Sequence, residues 1–344
     1  MGHKIDMSQY SVRTDLAIEA IQNLQDHGIE PDIISFDDIT VTNIYVDDKS
    51  GGMIGKKKGN YTTIEFSDVT DFEYRERLKQ VFSDCLKDLM KKVSIGDNAS
   101  CLVIGLGNER STPDSLGPMV IDQLLVTNHL FYYGDVEDGF RRVSAICPGV
   151  MGETGIETSD LICSVVDSLK PDFLIVIDAL ASQSIDRVNR TIQMTDSGIH
   201  PGSGVGNKRK EISFDTVHIP VISIGVPTVV DAVTIVSDTI HYMFQHFAYM
   251  KDHVHNPSYR LVPLGSGNYL NYDGKMNIHE KQELMGMVGG LNDAEIRDLI
   301  FEVLTPIGYN LMVTPKEVDF VMEHLSDVIG NGINRSLHRN VEHL

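Results

Sequence analysis

The sequence predicts an α/β fold in which helices cover both faces of a mostly parallel central sheet, a three-layer αβα arrangement. From residue 100 onward, short apolar runs typical of buried strands alternate with segments whose apolar residues have helical spacing. Such alternation favours parallel strands joined by right-handed crossover helices. A β-rich stretch at 36–68 precedes this core as a smaller elaboration, and helical patterning returns at 290–340. The 344 residues are enough for one large or two ordinary domains.

Each element has its own local signal. Residues 39–46 are dense in β-branched side chains and residues 60–66 alternate similarly, so both are predicted strands, separated by a turn at 47–52. A helix is predicted over 72–92. In the α/β core the predicted strands are 101–105, 142–147, 173–177 and 218–224, and the predicted helices are 118–128, 158–169 and 228–247. Capping boxes at 292–295 and 314–317 indicate the starts of two C-terminal helices.

Composition restricts the classes of function. Apolar residues make up 42% of the chain and charged residues 23%, as in soluble globular proteins. The N-terminus carries no signal-peptide core and no apolar stretch is long enough to span a bilayer, so we expect a cytoplasmic protein without membrane contact. The formal net charge of −20 argues against direct nucleic-acid binding, because phosphate contacts need clustered Lys and Arg.

Residue types used by common hydrolases lack their usual spacing. The 4 cysteines form no Cys-x-x-Cys pair and three lie in apolar runs, so we expect reduced, buried thiols with a structural role. The 13 histidines are scattered without the spacing of a hydrolytic zinc site, and no serine lies in a Gly-x-Ser-x-Gly elbow. We expect neither a metal nor a cofactor.

The loop at 105–118 is the first candidate site. It places the carboxylate of Asp114 between a buried strand and a helix, where open α/β sheets bind their ligands. The loop starts like a dinucleotide fingerprint, but Arg110 stands where the third glycine would be, and no P-loop motif occurs in the chain. Nucleotide binding is therefore the weaker interpretation.

A second carboxylate, Asp178, follows the apolar run 173–177. If the two strands are neighbours, both carboxyls face one cleft, and the crossover at 225–228 is a candidate wall of it. Two close carboxyls divide into a proton holder and a charged base. The helix after Pro118 favours an ionised Asp114, and burial favours a protonated Asp178. Alternatively, each Asp only caps a helix or serves a turn.

At these residues the sequence resembles the germination proteases of spore-forming bacteria, which degrade small acid-soluble spore proteins. The segments that carry the resemblance are 10–17, 105–108, 112–118, 148–152, 177–181 and 200–207. The family is similar in fold to the hydrogenase-maturation endopeptidases, whose Gly-x-Gly-Asn loop has an acid six positions after the Asn. Here Asp114 is six after Asn108, but Pro113 replaces a second acid, so their nickel recognition is not carried over.

The resemblance implies a zymogen that removes its own propeptide, with Asp114 and Asp178 as the functional acids. Its substrates are cut after the first acid of a Thr-Glu-Phe/Ile-Ala-Ser-Glu motif, and residues 14–19 have the same order of types. We therefore predict self-cleavage between Asp15 and Leu16, giving a propeptide 1–15 and a single catalytic domain 16–344. An ordinary helix start with Thr14 as N-cap is the alternative. The implied partners are small acid-soluble spore proteins and further copies of the chain, as a homo-oligomer expected to be a tetramer in the spore core.

Other residues are weaker candidates. Gly107 and Asn108 lie in the Asp114 loop and are possible cleft residues. The basic end of a glycine-rich loop, with Lys208 and Arg209, suits the acids of the substrate motif, although a solvated loop fits as well. His200 is a candidate for orienting a catalytic group or a turn histidine, and Glu157 a cleft residue or a helix cap.

Two rival functions remain open at this point. One is a phosphorylase-like or nucleoside-processing enzyme, because phosphorylase/hydrolase-like three-layer sheets carry several chemistries. The other is a spore-protein binding module with an inactive cleft. Phosphate dependence would mark the first, and association without cleavage the second.

Overall fold

The computed structural model describes residues 14–22, 28–134, 136–201, 209–255, 272–304 and 311–341. By its internal contacts the chain divides into two compact units, the first comprising 1–229 with 314–344 and the second 230–313.

One mixed sheet organises the first unit. Its strands are β1 Asp32–Phe36, β2 Ile39–Val46, β3 Gly59–Glu65, β4 Cys101–Gly105, β5 Val143–Ile146, β6 Phe173–Ser182, β7 Thr191–Thr195 and β8 Val221–Asp231. They lie in the order β1-β2-β3-β7-β8-β6-β4-β5. Strand β4 pairs in parallel with β5 and β6, whereas the neighbours from β1 to β8 along that order pair antiparallel. The predicted β-rich elaboration is therefore continuous with the main sheet, joined to it through β3 and β7.

Helices cover both faces of this sheet, which confirms the α/β class. The helices of the first unit are α1 Ala17–Gln22, α2 Asp48–Ile54, α3 Phe72–Lys92, α4 Leu116–Asp122, α5 Leu130–Tyr133, α6 Met151–Thr154, α7 Thr158–Leu169, α8 Phe214–Val217 and, near the C-terminus, α12 Val318–Leu337. Alternate residues of β6 serve opposite faces: Phe173 and Ile175 pack into the core under α3, α4 and α12, and Leu174 and Val176 into the core under α7 and α8.

Several predicted boundaries are right and several are wrong. Helix α3 spans the predicted 72–92, and α7 the predicted 158–169. The predicted turn at 47–52 is wrong, because helix α2 begins at Asp48. The side chain of Asp47 accepts from the N–H of Ser50 at 2.7 Å, and the N–H of Asp47 donates to Oγ of Ser50 at 3.0 Å, which caps the helix despite its two glycines.

The capping-box predictions differ in outcome. The box at 292–295 forms, with Asn292 and Glu295 exchanging side-chain bonds at 2.9 and 3.0 Å. The one at 314–317 is wrong: the Thr314 hydroxyl donates to the carbonyl of Thr228 at 2.9 Å instead, and α12 begins at Val318. The predicted helix 228–247 starts late, at Ala232, since β8 continues to Asp231, and the helix predicted over 118–128 ends at Asp122.

The second unit is mainly helical. It contains α9 Ala232–Asp252, α10 Ile278–Met285, α11 Asp293–Leu304 and the short strand β9 Met312–Val313, which pairs with the last two residues of β8. The buried Asp231 caps α9 by accepting from the N–H and the hydroxyl of Thr234 at 2.8 and 2.7 Å. Within the described ranges of the whole chain, no helix has the length and apolar character needed to cross a membrane.

Candidate active site

The loop after β4 folds back on itself around Asp114. The N–H of Asn108 donates to the carbonyl of Asp114 at 2.9 Å, and the N–H of Asp114 donates to the carbonyl of Ser111 at 2.7 Å. Gly107, at φ +111°, lies directly under this loop, and a Cβ there would overlap the carbonyl oxygen of Asp114. Only glycine fits here, both for its backbone angle and for the space it leaves.

Close backbone packing fixes the loop against the sheet. A Cβ at Gly105 would overlap the carbonyl of Gly117, and a Cβ at Gly117 would overlap Leu106, so α4 begins in direct contact with the end of β4. From β8, the hydroxyl of Thr228 donates to the carbonyl of Pro113 at 2.6 Å. The residue next to Asp114 is thus hydrogen-bonded to a third strand. The predicted crossover at 225–228 is wrong, because these residues lie inside β8.

Asp178 lies on β6, next to the point where β4 ends. The register pairs Gly105 with Ile177, and the N–H of Leu106 donates to the carbonyl of Ile177 at 2.8 Å. The two strands are therefore neighbours, as the sequence argument required. The predicted strand end at 177 is wrong, because β6 continues to Ser182 and Asp178 sits within it, with 5% of its surface exposed.

Burial raises the pKa of both carboxyls. Burial raises the pKa of Asp178 well above its usual range, and the negative charges of Asp114 and then Asp15 raise that pKa further. Burial also raises the pKa of Asp114, against the opposing effects of the Asn108 N–H and of Arg209. Arg209 lowers the pKa of Asp178 as well, so this cation is within electrostatic reach of both carboxyls.

The segment that contains Asp15 and Leu16 docks beside the far end of β6. The N–H of Ala181 donates to Oδ2 of Asp15 at 3.0 Å, and the N–H of Asp15 faces the carbonyl of Ala181 at 3.4 Å. Leu16 is fully buried against Leu180 and Ile199. Helix α1 begins at Ala17, so Thr14 is not its N-cap; the Thr14 hydroxyl instead accepts from the N–H of Leu16 at 2.9 Å.

The remaining predicted residues are more dispersed. His200 Nε2 lies 3.1 Å from Glu211 Oε2, and Lys57 contacts the other oxygen of the same carboxylate. Glu157 immediately precedes α7 without capping it, and its buried Oε1 has no hydrogen-bond partner among the described residues. The side chain of Asn108 accepts from the N–H of Arg110 at 2.9 Å. Lys208 lies outside the described residues.

Two polar residues near Asp15 were not predicted as site residues. Gln193, on β7, contacts the backbone on both sides of the Asp15–Leu16 bond, with 6% of its surface exposed. Glu19 is buried against Ser182 and Arg187. A glutamine inside a strand has no sequence signature, but Glu19 ends the 14–19 motif, so its carboxylate was open to prediction.

The described part of the chain also contains residue types that other hydrolases use. No group of three or more His, Cys, Asp and Glu side chains there is placed to hold a metal ion. The cysteines are free, and burial raises the pKa of Cys85 to about 12, which leaves that thiol a poor nucleophile. Cys101 is buried, Cys85 and Cys163 are partly buried and Cys147 is exposed, so the prediction of buried thiols is right for Cys101 and wrong for Cys147.

Comparison with known proteins assigns this chain to a family. The profile of the germination protease family matches residues 8–344. The germination protease of Bacillus cereus (strain ATCC 10987 / NRS 248) is 48% identical over 358 residues, covering 99% of this chain and 98% of that protein. That of Priestia megaterium is 49% identical over 361 residues, with the same coverage.

A solved structure gives a weaker likeness. The [NiFe] hydrogenase maturation protease HycI from Thermococcus kodakarensis aligns with 42% of this chain and 80% of its own, at 17% identity and a TM-score of 0.27. The assignment rests instead on the full-length matches, which cover the Asp114 loop, β6 and the docked segment alike. The chain belongs to the germination protease family and is an endopeptidase.

Proposed function

We propose that this endopeptidase is a self-processing zymogen that cuts its own chain between Asp15 and Leu16 and then begins the degradation of small acid-soluble spore proteins. The supporting observation is the docked segment: Asp15 pairs with Ala181 on the strand that carries Asp178, and its charge raises the pKa of Asp178. Because the chain belongs to a family of endopeptidases, this function is favoured over a phosphorylase-like enzyme or an inactive binding module.

In the proposed mechanism the two carboxyls divide the proton transfers. Asp114, ionised, accepts a proton from a water molecule whose oxygen attacks the carbonyl carbon of Asp15. Asp178, which its burial keeps protonated, donates its proton to the nitrogen of Leu16 as the C–N bond breaks. Asp15 is left with a new carboxyl and Leu16 with a free amine. Exchange with water then restores the protonated Asp178 and the ionised Asp114.

The contacts that hold residues 14–19 also suit an extended peptide from another molecule. Residues 14–19 supply a hydroxyl, an acid, a large apolar residue, an alanine and a second acid in the order of the family's substrate motif. Leu16 fills an apolar site against Leu180, and Glu19 meets the cation of Arg187. A substrate with the same order of types would reuse both contacts.

Cleavage of a peptide tests this function. Each protein is made as a chain that begins at Leu16, so that variants unable to process themselves are compared in the same form, and is given a peptide containing Thr-Glu-Phe-Ala-Ser-Glu. We expect a cut after the first Glu, and a loss of about 10²-fold to 10⁴-fold in kcat for Asp114→Asn and Asp178→Asn, typical of removing one acid–base group. Asp88→Asn, at an exposed pair with Lys91 on α3, is the matched control. Equal rates in all four proteins would exclude the Asp pair.

Assembly is a separate part of the proposal. We expect a homo-oligomer, a tetramer, on the basis of family membership. Sedimentation equilibrium of the purified chain at micromolar concentration gives the subunit number directly, and a monomer would contradict this part alone.

A further inference from the structure

We infer that Gln193 is a further catalytic residue, whose side-chain amide polarises the carbonyl of the peptide bond to be cut. The inference rests on the proposed cleavage between Asp15 and Leu16. Its basis is one contact: Nε2 of Gln193 donates to the carbonyl oxygen of Asp15 at 3.1 Å. That oxygen gains negative charge when water attacks the carbonyl carbon, so a donor already in place stabilises the transition state.

The other end of the same amide fixes the peptide on the far side of the bond. Oε1 of Gln193 accepts from the N–H of Ala17 at 2.6 Å. One side chain therefore holds the carbonyl before the bond and an N–H after it, as a neighbouring strand would. This double contact fixes the orientation of the Asp15 carbonyl relative to β6 and limits its movement toward or away from the carboxyls.

The sheet explains how Gln193 reaches this position. On β7, Ile192 and Met194 face the core under α3 and α12, so Gln193 projects from the opposite face. Asp178 projects from that same face, since it alternates with Ile177, which serves the α3 core. Gln193 and the proton-holding carboxyl therefore approach the docked segment from one side of the sheet.

Strand β8, which lies between β7 and β6, has a glycine at position 225. Gln193 pairs in register with Gly225 on β8, and a Cβ at Gly225 would overlap the side chain of Leu180 on β6. Because Gly225 has no side chain, Leu180 can lie across β8, and Leu16 packs against Leu180. Because Gly225 has no side chain, the docked segment that packs on Leu180 of β6 comes within reach of Gln193, two strands away on β7.

Gln193 bonds the Asp15 carbonyl, whereas the neighbouring Lys56 bonds the carbonyl before it. Nζ of Lys56 donates to the preceding carbonyl, that of Thr14, at 2.8 Å. Arg209 acts electrostatically on Asp114 and Asp178. The roles are therefore separate: the carboxyls move protons, Lys56 holds the chain before the bond, and Gln193 meets the charge that develops on the reacting oxygen.

Self-cleavage of the full chain tests this role without a substrate-binding step. We expect the first-order rate at the Asp15–Leu16 bond to fall about 10²-fold to 10³-fold in Gln193→Ala, the usual loss when one such donor is removed. Thr191→Val is the matched control: Thr191 lies on the same strand and face, and its hydroxyl has no hydrogen-bond partner among the described residues. We expect the control to cleave at the parent's rate.

A second variant separates polarisation from simple docking. Gln193→Glu keeps an oxygen to accept from Ala17 but loses the N–H donor to Asp15. Polarisation predicts that Gln193→Glu is at least as slow as Gln193→Ala, whereas a docking role predicts a rate near that of the parent. With the peptide in trans, polarisation predicts a loss mainly in kcat, with KM changed only a few-fold.

The outcomes separate this inference from the function on which it rests. A parent chain that never cuts between Asp15 and Leu16 would overturn the proposed self-processing and the role of Gln193 together. A parent that cuts there while Gln193→Glu keeps its rate would overturn the role of Gln193 alone. Thermal unfolding of each variant shows whether a slow variant is folded, and a folded Gln193→Glu with parental kcat is decisive against polarisation.

Discussion

The N–H of Ala181 donates to the carboxylate of Asp15 at 3.0 Å, three residues along β6 from Asp178. The chain's own N-terminal segment therefore lies along the strand that carries Asp178, where the proposed function places a substrate. As long as this segment stays docked, a substrate in trans has no access to the contacts of Leu16 and Glu19. In the proposed function, this docking explains both how the chain cuts itself and why the uncut chain is inactive in trans.

The pH dependence of cleavage follows from the two carboxyls. Activity requires an ionised Asp114 and a protonated Asp178, so the rate falls at low pH as Asp114 gains a proton and at high pH as Asp178 loses one. Because burial raises both pKa values, both limbs lie above the ordinary aspartate pKa of about 3.9. A pH–rate profile of self-cleavage checks this, and a rate that is flat from pH 4 to 9 would contradict it.

Arg209 tunes this profile. Its positive charge lowers the pKa of both Asp114 and Asp178, so Arg209→Met should move both limbs to higher pH. Arg110→Met is the control, since Arg110 is exposed and lies 3.7 Å from Glu153. Identical profiles for Arg209→Met and the parent would show that Arg209 does not act on the pair.

Asp178→Asn should be more stable than the parent at neutral pH. The folded pKa of Asp178 is raised above its unfolded value, so the folded state is penalised as pH rises from about 3.9 through the folded pKa. Asparagine removes the charge and keeps the oxygen that accepts from the N–H of Ala179 at 3.0 Å. Thermal unfolding from pH 3 to 8 should show a higher Tm for the variant at neutral pH, with the two proteins converging in acid. A variant less stable at every pH would contradict a charge penalty at Asp178.

Gly107→Ala tests the geometry of the Asp114 loop. The substitution places a Cβ on the Asp114 carbonyl at a φ of +111°, so we expect a loss of roughly 1–3 kcal/mol in unfolding free energy and slow cleavage. Gly96→Ala is the matched control, because nothing lies within 4 Å of a Cβ there. Urea unfolding measures both, and a Gly107→Ala protein with parental stability and rate would show that the loop tolerates a side chain.

Arg187 should determine preference for the second acid of the motif. Glu19, 3% exposed, accepts from the Ser182 hydroxyl at 2.6 Å and the N–H of Gln183 at 2.9 Å, and lies 3.4 Å from Arg187 Nη1. We expect the parent to cut a peptide with Glu at this position about 10-fold faster than one with Gln, and Arg187→Met to lose the preference, since a charged hydrogen bond contributes about 1.5–3 kcal/mol. Equal discrimination by both proteins would assign the preference to another residue.

The sequence places Asp114 and Asp178 after two predicted strands, and the reason is physical. Asp178 directly follows one uninterrupted apolar run and Asp114 lies in the loop after another, and such runs are typical of buried parallel strands. The structure places those strands side by side through Gly105 and Ile177. Local patterning also predicts α3 and α7, because their amphipathic periodicity is strong.

The sequence could not predict the antiparallel half of the sheet or the residues that contact the docked segment. The join of β3 to β7 depends on pairing Tyr61 with Thr195, far apart in the chain, and no local pattern encodes it. Gln193 is a polar residue in a short buried strand, and its partners at Asp15 and Ala17 are set by tertiary contact. Helix α2 was missed because its Gly51-Gly52 pair is typical of a turn, whereas the Asp47–Ser50 cap stabilises a helix.

The central claim is that the docked bond between Asp15 and Leu16 is cut by the Asp pair of the same chain. Intact-mass spectrometry of the purified full chain, incubated over a range of pH beside Asp178→Asn, tests it most directly. We predict a time-dependent product that begins at Leu16 in the parent, at a rate independent of protein concentration, and an intact Asp178→Asn chain. A parent that stays intact, or an Asp178→Asn chain that is cut equally fast, would contradict the account.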